Sequence, residues 1–277
     1  KLRSIFRPEE LGRLARRQRG VNRCEIAVEF GRKASNTTFS FHTRSTSEVQ
    51  VEVTPSKWVE QPPVFLPTRE LLTIFPGFVS LYETTDLPFE ETWRDTCILL
   101  GAPLARGKKL SEIDDLLRPL EEELEGKVVF EDGRFYVRSD AGKLEAHLVA
   151  EGLRKLAMIA RLVATGSLIG TGSLFWDEPE ANLNPKVIRR VARTILQLCR
   201  SGIQVFIASH SLFLLRELDI LLKAKPFEGV EAKFFGLHRE EAGVVVQQGP
   251  TIDHIGKITA LEEELSQSDR YLETEAE

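Results

Sequence analysis

Two adjacent acids, Asp177-Glu178, close an apolar run, Leu174-Phe175-Trp176, and are followed by Pro179-Glu180-Ala181-Asn182-Leu183-Asn184. About thirty residues later a second apolar run, Val205-Phe206-Ile207-Ala208, ends in Ser209-His210. On neighbouring strand tips these residues have the chemistry to cleave a nucleoside triphosphate. Asp177 can hold Mg²⁺ through its waters, Glu178 can orient and deprotonate an attacking water, and His210 can sense the γ-phosphate. Pro179 stops strand pairing after the acids, which places both carboxylates at the carboxyl edge of a sheet, where open α/β sheets bind ligands. A glycine and two cations, Glu151-Gly152-Leu153-Arg154-Lys155, start or lie early in the preceding helix and offer N–H groups and positive charge to a phosphate. The other histidines, His42, His147, His238 and His254, stand in no such context and read as structural.

Positioning these groups requires a parallel sheet, and the pattern supplies one. A long amphipathic helix over 143–165, a buried strand over 173–178, a helix over 185–201 opened by Pro185, a strand over 203–208 and a helix over 211–223 alternate with short links. Strands over 234–237 and 244–247 close the run around Glu241-Ala242-Gly243. Before it, 21–30 and 37–53 alternate polar and apolar residues as antiparallel strands, and Pro62–Pro67 reads as a short buried strand running into Thr68-Arg69-Glu70. Residues 70–125 read as helical, punctuated by Pro88, Pro103 and Pro119, and Asp132-Gly133 marks a hairpin over 127–138. The fold class is therefore α/β: a mostly parallel core, an antiparallel N-terminal β portion over 1–69, a mostly helical insertion over 70–142, the main core over 143–260, and an acidic tail over 261–277. Gly101 to Lys109 imitates a phosphate-binding loop, but five residues separate its glycines and Lys109 stands where Ser or Thr is needed, so it reads as a surface loop.

Composition narrows the class. At 277 residues and 42% apolar content the chain can fill one large core. Cys24, Cys97 and Cys199 lie far apart without C-x-x-C spacing, which argues against a disulfide framework or a zinc site and for a reducing, cytoplasmic setting. No apolar stretch approaches the ~20 residues of a membrane span. Residues 1–23 carry eight Lys/Arg against two Glu, and 261–277 carry seven acids against one Arg. The arginines Arg13 to Arg23 read as a solvated helix face followed by a loop, with DNA as the alternative partner. The single methionine is Met158 and the first residue is Lys1, so the reading expects a missing upstream piece.

The stretch from Ala146 to Asp219 resembles the ABC-like ATPases of the AAA family that include the overcoming-lysogenisation-defect, Septu and PARIS-type antiphage ATPases. That resemblance implies that Leu174–Glu178 is the Walker B strand, with Asp177 beside Mg²⁺ and Glu178 as general base. It implies a D-loop at Ala181–Asn184 and a switch histidine at His210. Glu151, Gly152, Arg154 and Lys155 would form the signature segment, which contacts ATP across a homodimer or higher homo-oligomer together with Asn182. Phe65–Glu70, with Arg69, would play the Q-loop part. Ala150 stands where the signature carries a serine, and the phosphate-binding Walker A loop would lie in the upstream piece. The function so implied is an ATPase using ATP and Mg²⁺ that serves as the sensor of an antiphage system and controls a separate nuclease or toxin. A nucleotide-gated scaffold with little turnover, or a DNA-repair or chromosome-type ATPase, is the alternative.

Overall fold

A computed structural model of the chain describes residues 1–17, 19–59, 63–107, 110–169, 172–241 and 243–276. Pro62 of the expected strand, Lys108 and Lys109 of the rejected phosphate loop, and Ala242 between the closing strands lie outside the described residues. Helix α1 (Leu2–Phe6) precedes a three-stranded antiparallel sheet of β1 (Arg23–Val28), β2 (Thr37–His42) and β3 (Gln50–Val53). Leu11, Ala15 and Phe41 make the small core of this portion. The arginines before it are not a helix face. Arg13 lies in a 3₁₀ turn and pairs with Glu9, Arg16 lies in irregular chain and donates to the Glu241 carbonyl at 3.0 Å, and Arg23 opens β1 and donates to Glu52 at 2.5 Å.

Strand β4 (Val64–Leu66) leads into α2 (Phe75–Thr84), α3 (Glu91–Gly101) and α4 (Leu110–Leu124). Helix α4 runs through Pro119 instead of ending there, because Ile113, Leu116, Leu120 and Leu124 keep one buried face across it. The hairpin of β5 (Lys127–Glu131) and β6 (Arg134–Ser139) gains a third strand, β7 (Gly142–Glu145). The long helix expected from residue 143 therefore begins later, as α5 (Glu151–Ala164). Gly142, at φ 127°, closes the extra turn in a conformation that side chains disfavour.

The alternation that follows matches the pattern: β8 (Ser173–Asp177), α6 (Pro185–Arg200), β9 (Gln204–Ala208) and α7 (Leu212–Leu222). Asn184 caps α6 by accepting from the Val187 N–H at 3.1 Å, and Ser211 caps α7 by accepting from Leu214 at 3.2 Å. Strands β4, β8 and β9 pair in that order, all parallel, with Leu66 opposite Trp176 and Asp177 opposite Ala208. A separate hairpin, β10 (Phe234–Glu240) with β11 (Gly243–Gly249), and an exposed helix, α8 (Thr259–Ala276), complete the chain.

One continuous core joins residues 70–142 to the parallel sheet: Phe78, Leu100, Leu116 and Phe135 pack in the same cluster as Leu156, Ile159, Leu174 and Trp176. Helix α5 is its centre, with nine consecutive buried residues from Lys155 to Val163. On the other face of the sheet, Phe175 and Phe206 stack at 4.6 Å and line a cavity of about 720 Å³ with Phe65 and Trp93. Among the described residues no helix is long and apolar enough to cross a membrane.

Candidate functional site

Parallel pairing brings three strand tips side by side. At the end of β4, Thr68 donates its hydroxyl to Asp177 Oδ2 at 2.9 Å, across 109 residues of sequence. Past the end of β8, the Glu178 N–H donates to the Ala208 carbonyl at 2.8 Å, so the ladder continues one residue into the turn. Glu178 then adopts φ 41°, a left-handed conformation uncommon for a residue with a side chain. Its Oε1 lies 2.8 Å from His210 Nδ1. The imidazole is 80% exposed and the Glu178 carboxylate 36% exposed, so the pair opens to solvent at the carboxyl edge.

A second layer sits behind the pair. Ser209 donates to Glu180 Oε1 at 2.5 Å and accepts from the Ser211 N–H at 3.1 Å. Glu180 is buried, and its Oε2 has no hydrogen-bond partner. Asn182, also left-handed at φ 61°, donates to Glu151 Oε1 at 3.2 Å. Gly152 lets α5 approach the loop closely: a Cβ there would stand 3.0 Å from Leu183 Cδ2 and 3.1 Å from Val187 Cγ1. Its role in the fold is thus close packing on the chain's own loop.

The two cations of α5 are placed differently from the sequence expectation. Lys155 is wholly buried, with Nζ donating to the Ala181 carbonyl at 2.8 Å and standing 3.5 Å from the carbonyls of Glu178 and Pro179. Burial pushes its amine below the ordinary lysine range, against the opposing pull of Glu151, Glu180, Glu178 and Glu70. Arg154 donates through Nε to Glu70 Oε1 at 2.8 Å and through a terminal nitrogen to the Val149 carbonyl at 2.7 Å. A phosphate arriving from solvent meets neither as an open cation. The reason is local: at the first turns of α5 the Glu70 loop lies against Arg154 and the acidic turn against Lys155.

Asp177, Glu178 and His210 therefore share one edge, Glu151, Gly152 and Asn182 flank it, and Arg69 lies exposed on the rim of the aromatic cavity beside Thr68 and Asp177. Thr68 and Ser209 were not legible as partners of Asp177 and Glu180. The available signal was positional, since each follows an apolar strand as Asp177 does. Among the described residues no group of three or more His, Cys, Asp or Glu could hold a metal alone. Mg²⁺ does not require one, because it keeps several waters and uses one or two carboxylates together with substrate phosphates. Asp177, a hard oxygen donor oriented by Thr68, fits that mode.

No curated protein matches the sequence. Among solved structures, the SMC head domain from Thermotoga maritima is 11% identical, with 82% of this chain and 73% of that chain covered at a TM-score of 0.44. An Smc head bound to the C-winged helix domain of ScpA is 11% identical, with 84% and 75% covered at 0.46. An ATP-binding cassette of an ABC transporter is 14% identical, with 76% and 72% covered at 0.37. The family model described as "AAA domain, putative AbiEii toxin, Type IV TA system" matches residues 76–216. That match spans just over half of the chain and takes in the tips of β8 and β9 with Asp177, Glu178 and His210, and so the chain belongs to this AAA-domain family.

Proposed function

We propose that the protein is an ABC-like ATPase that binds ATP between two copies of the chain and cleaves its γ-phosphate. The observation that carries this reading is the 2.8 Å contact between Glu178 and His210 on adjacent parallel strand tips, one residue from Asp177. Glu178 takes a proton from the attacking water and holds that water in line with the phosphorus. With a proton on Nδ1, His210 donates to Glu178 and keeps it oriented, and most of the ring remains open to a phosphate oxygen. Mg²⁺, when bound, neutralises charge on the phosphate oxygens, and Asp177 would hold it through its waters with Thr68 fixing the carboxylate.

Glu151, Gly152 and Asn182 form the edge offered to nucleotide on the partner copy, and Arg69 flanks the nucleotide beside Asp177 of its own chain from the β4 side. Arg154 and Lys155 serve behind that edge. Residues 1–69 and 143–260 act as the two core portions and 70–142 as an insertion braced on α5. In this reading, nucleotide-dependent opening and closing of the dimer is the output, relayed to a separate nuclease or toxin in an antiphage system. The test is ATP turnover by the full-length protein beside Glu178→Gln over a range of protein concentrations. Turnover that rises more steeply than first order and is abolished by the substitution is expected. First-order turnover indifferent to Glu178 would overturn the composite site.

A further inference from the structure

We infer that Lys155 is a positioning residue of the hydrolytic site: its buried ammonium anchors the turn from Glu178 to Ala181 from within and thereby sets where the Glu178 carboxylate stands. The inference rests on the reading of Glu178 as the base and adds a determinant that lies outside the ligand-facing edge.

Four observations converge. Lys155 is the one wholly buried lysine among the described residues, and its Nζ faces three carbonyls of a single turn, those of Glu178, Pro179 and Ala181. The turn has inward acceptors and few donors of its own, since Pro179 has no N–H and the Glu178 N–H is spent on β9. An ammonium carries three donors and no acceptor, which matches a pocket lined by carbonyls. Glu178 and Asn182 bracket the turn with φ of 41° and 61°, conformations that persist only where the surroundings hold them. The lysine is the part of those surroundings that reaches the turn from the core. Glu180 completes the arrangement: buried in the same turn and tied to Ser209, it adds negative charge near the ammonium and links the turn to the segment carrying His210.

Loss of this anchor takes the lysine donor from the Pro179 and Ala181 carbonyls and leaves the Glu178 carbonyl only the Ala181 N–H, and the turn rearranges to reach water. The carboxylate of Glu178 then leaves the line of attack, while Glu151 and Gly152 at the outer edge, carried by α5, stay in place. The consequence falls on kcat and not on KM.

The experiment compares the full-length protein with Lys155→Met, which keeps the length and removes the donors, and Lys155→Arg, which restores donors and charge. Steady-state ATP turnover is measured together with amide hydrogen exchange. For Lys155→Met, kcat falls by about 10²-fold, the loss a misplaced reacting group brings, with KM changed by less than about threefold. Exchange at Ala181 and Leu183, whose N–H groups close the turn on the Glu178 and Glu180 carbonyls, accelerates by about tenfold, while exchange at Ile159 within α5 does not change. Lys155→Arg recovers a measurable part of both. Parent-like kcat and parent-like exchange in the turn would overturn the inference, as would a loss of activity accompanied by uniform acceleration across α5.

Should Lys155→Met not fold, wild-type protein labelled with ¹⁵N-lysine carries the test. One ammonium resonance shielded from solvent exchange, missing from Lys155→Arg, is expected, and its absence would refute the anchor. The failures are separable. A parent without turnover sinks the ATPase reading but leaves the exchange contrast standing, whereas an active parent, an inactive Glu178→Gln and an unaffected Lys155→Met sink the anchor alone.

Discussion

If Arg154 is committed to Glu70 and not to a phosphate, its removal must destabilise the fold and leave nucleotide affinity alone. Glu70 is 4% exposed, and its carboxylate accepts from the N–H groups of Leu72 at 2.8 Å and Thr73 at 3.3 Å, from the Thr73 hydroxyl at 2.7 Å and from Arg154 Nε at 2.8 Å. Replacing Arg154 by Met keeps the stem packing but deletes the charged contact and the bond to the Val149 carbonyl. Leaving a buried charge wholly unpaired costs about 3–5 kcal/mol. Three remaining donors to Glu70, and a guanidinium that is itself 20% exposed, bring the expected loss down to about 2–3 kcal/mol, the scale of one charge-assisted and one neutral hydrogen bond. Urea unfolding of Arg154→Met should show this loss with an unchanged slope, and the thermal midpoint should fall by about 3–5 °C. A double-mutant cycle with Glu70→Gln should return a coupling of about 1–2 kcal/mol. ATP affinity should stay within about twofold of the parent, since no binding contact is lost. Parent-like stability with affinity weakened about tenfold or more would refute the reasoning and return Arg154 to the phosphate.

Three further outcomes follow from the same geometry. Gly152→Ala brings a methyl to 3.0 Å from Leu183 Cδ2. The helix gains at most about 1 kcal/mol while crowding costs about 1–3 kcal/mol, so net destabilisation is expected on urea unfolding. Pairing it with Leu183→Ala should relieve the crowding, and a Gly152→Ala protein more stable than the parent would contradict the close approach. Thr68→Val removes the hydroxyl that orients Asp177, so the Mg²⁺ concentration for half-maximal turnover should rise by about tenfold or more, as with other groups behind a metal ligand. An unchanged Mg²⁺ titration would detach Thr68 from the metal. Burial pushes the Cys97 thiol up to about 12 and raises that of Cys199, so thiolate is scarce at both near pH 8. Iodoacetamide should modify the partly exposed Cys24 first and spare Cys97 until unfolding, as read by peptide mass spectrometry.

The strands that carry the site were legible because both their faces are apolar: Leu174 and Trp176 pack into the core, while Phe175 and Phe206 line the aromatic cavity on the other face. Their side-by-side registry was not, since spacing along the chain does not say that Asp177 stands opposite Ala208. The start of α5 is ambiguous in the sequence for a related reason: Lys143, Leu144 and Glu145 fit a helical pattern as well as an edge strand, and only the turn at Gly142 decides between them. Thr68 was visible as a residue but not as a partner, because its acceptor lies 109 residues away.

The cations of α5 show where local pattern stops informing. A lysine or arginine near a helix start, seen alone, is assigned to solvent or to an anion because burying an unpaired charge is prohibitive. Here the compensation comes from backbone carbonyls and a carboxylate that other segments deliver. Lys155 reaches the acidic turn, Arg154 the Glu70 loop after β4, and the buried Arg161 the carbonyls of Leu100 and Ala102 at the end of α3, at 2.9 and 2.8 Å. The acidic turn, the Glu70 loop and the C-terminal end of α3 are thus tied to one helix at the centre of the core. A rigid helix that grips its neighbours through charge and carbonyl geometry fixes direction as well as distance, which apolar packing alone does not do. The same residues that suggest a phosphate contact when read along the chain are, in three dimensions, held by the chain's own groups: Arg154 by Glu70 and the Val149 carbonyl, Lys155 by the carbonyls of the turn after Asp177.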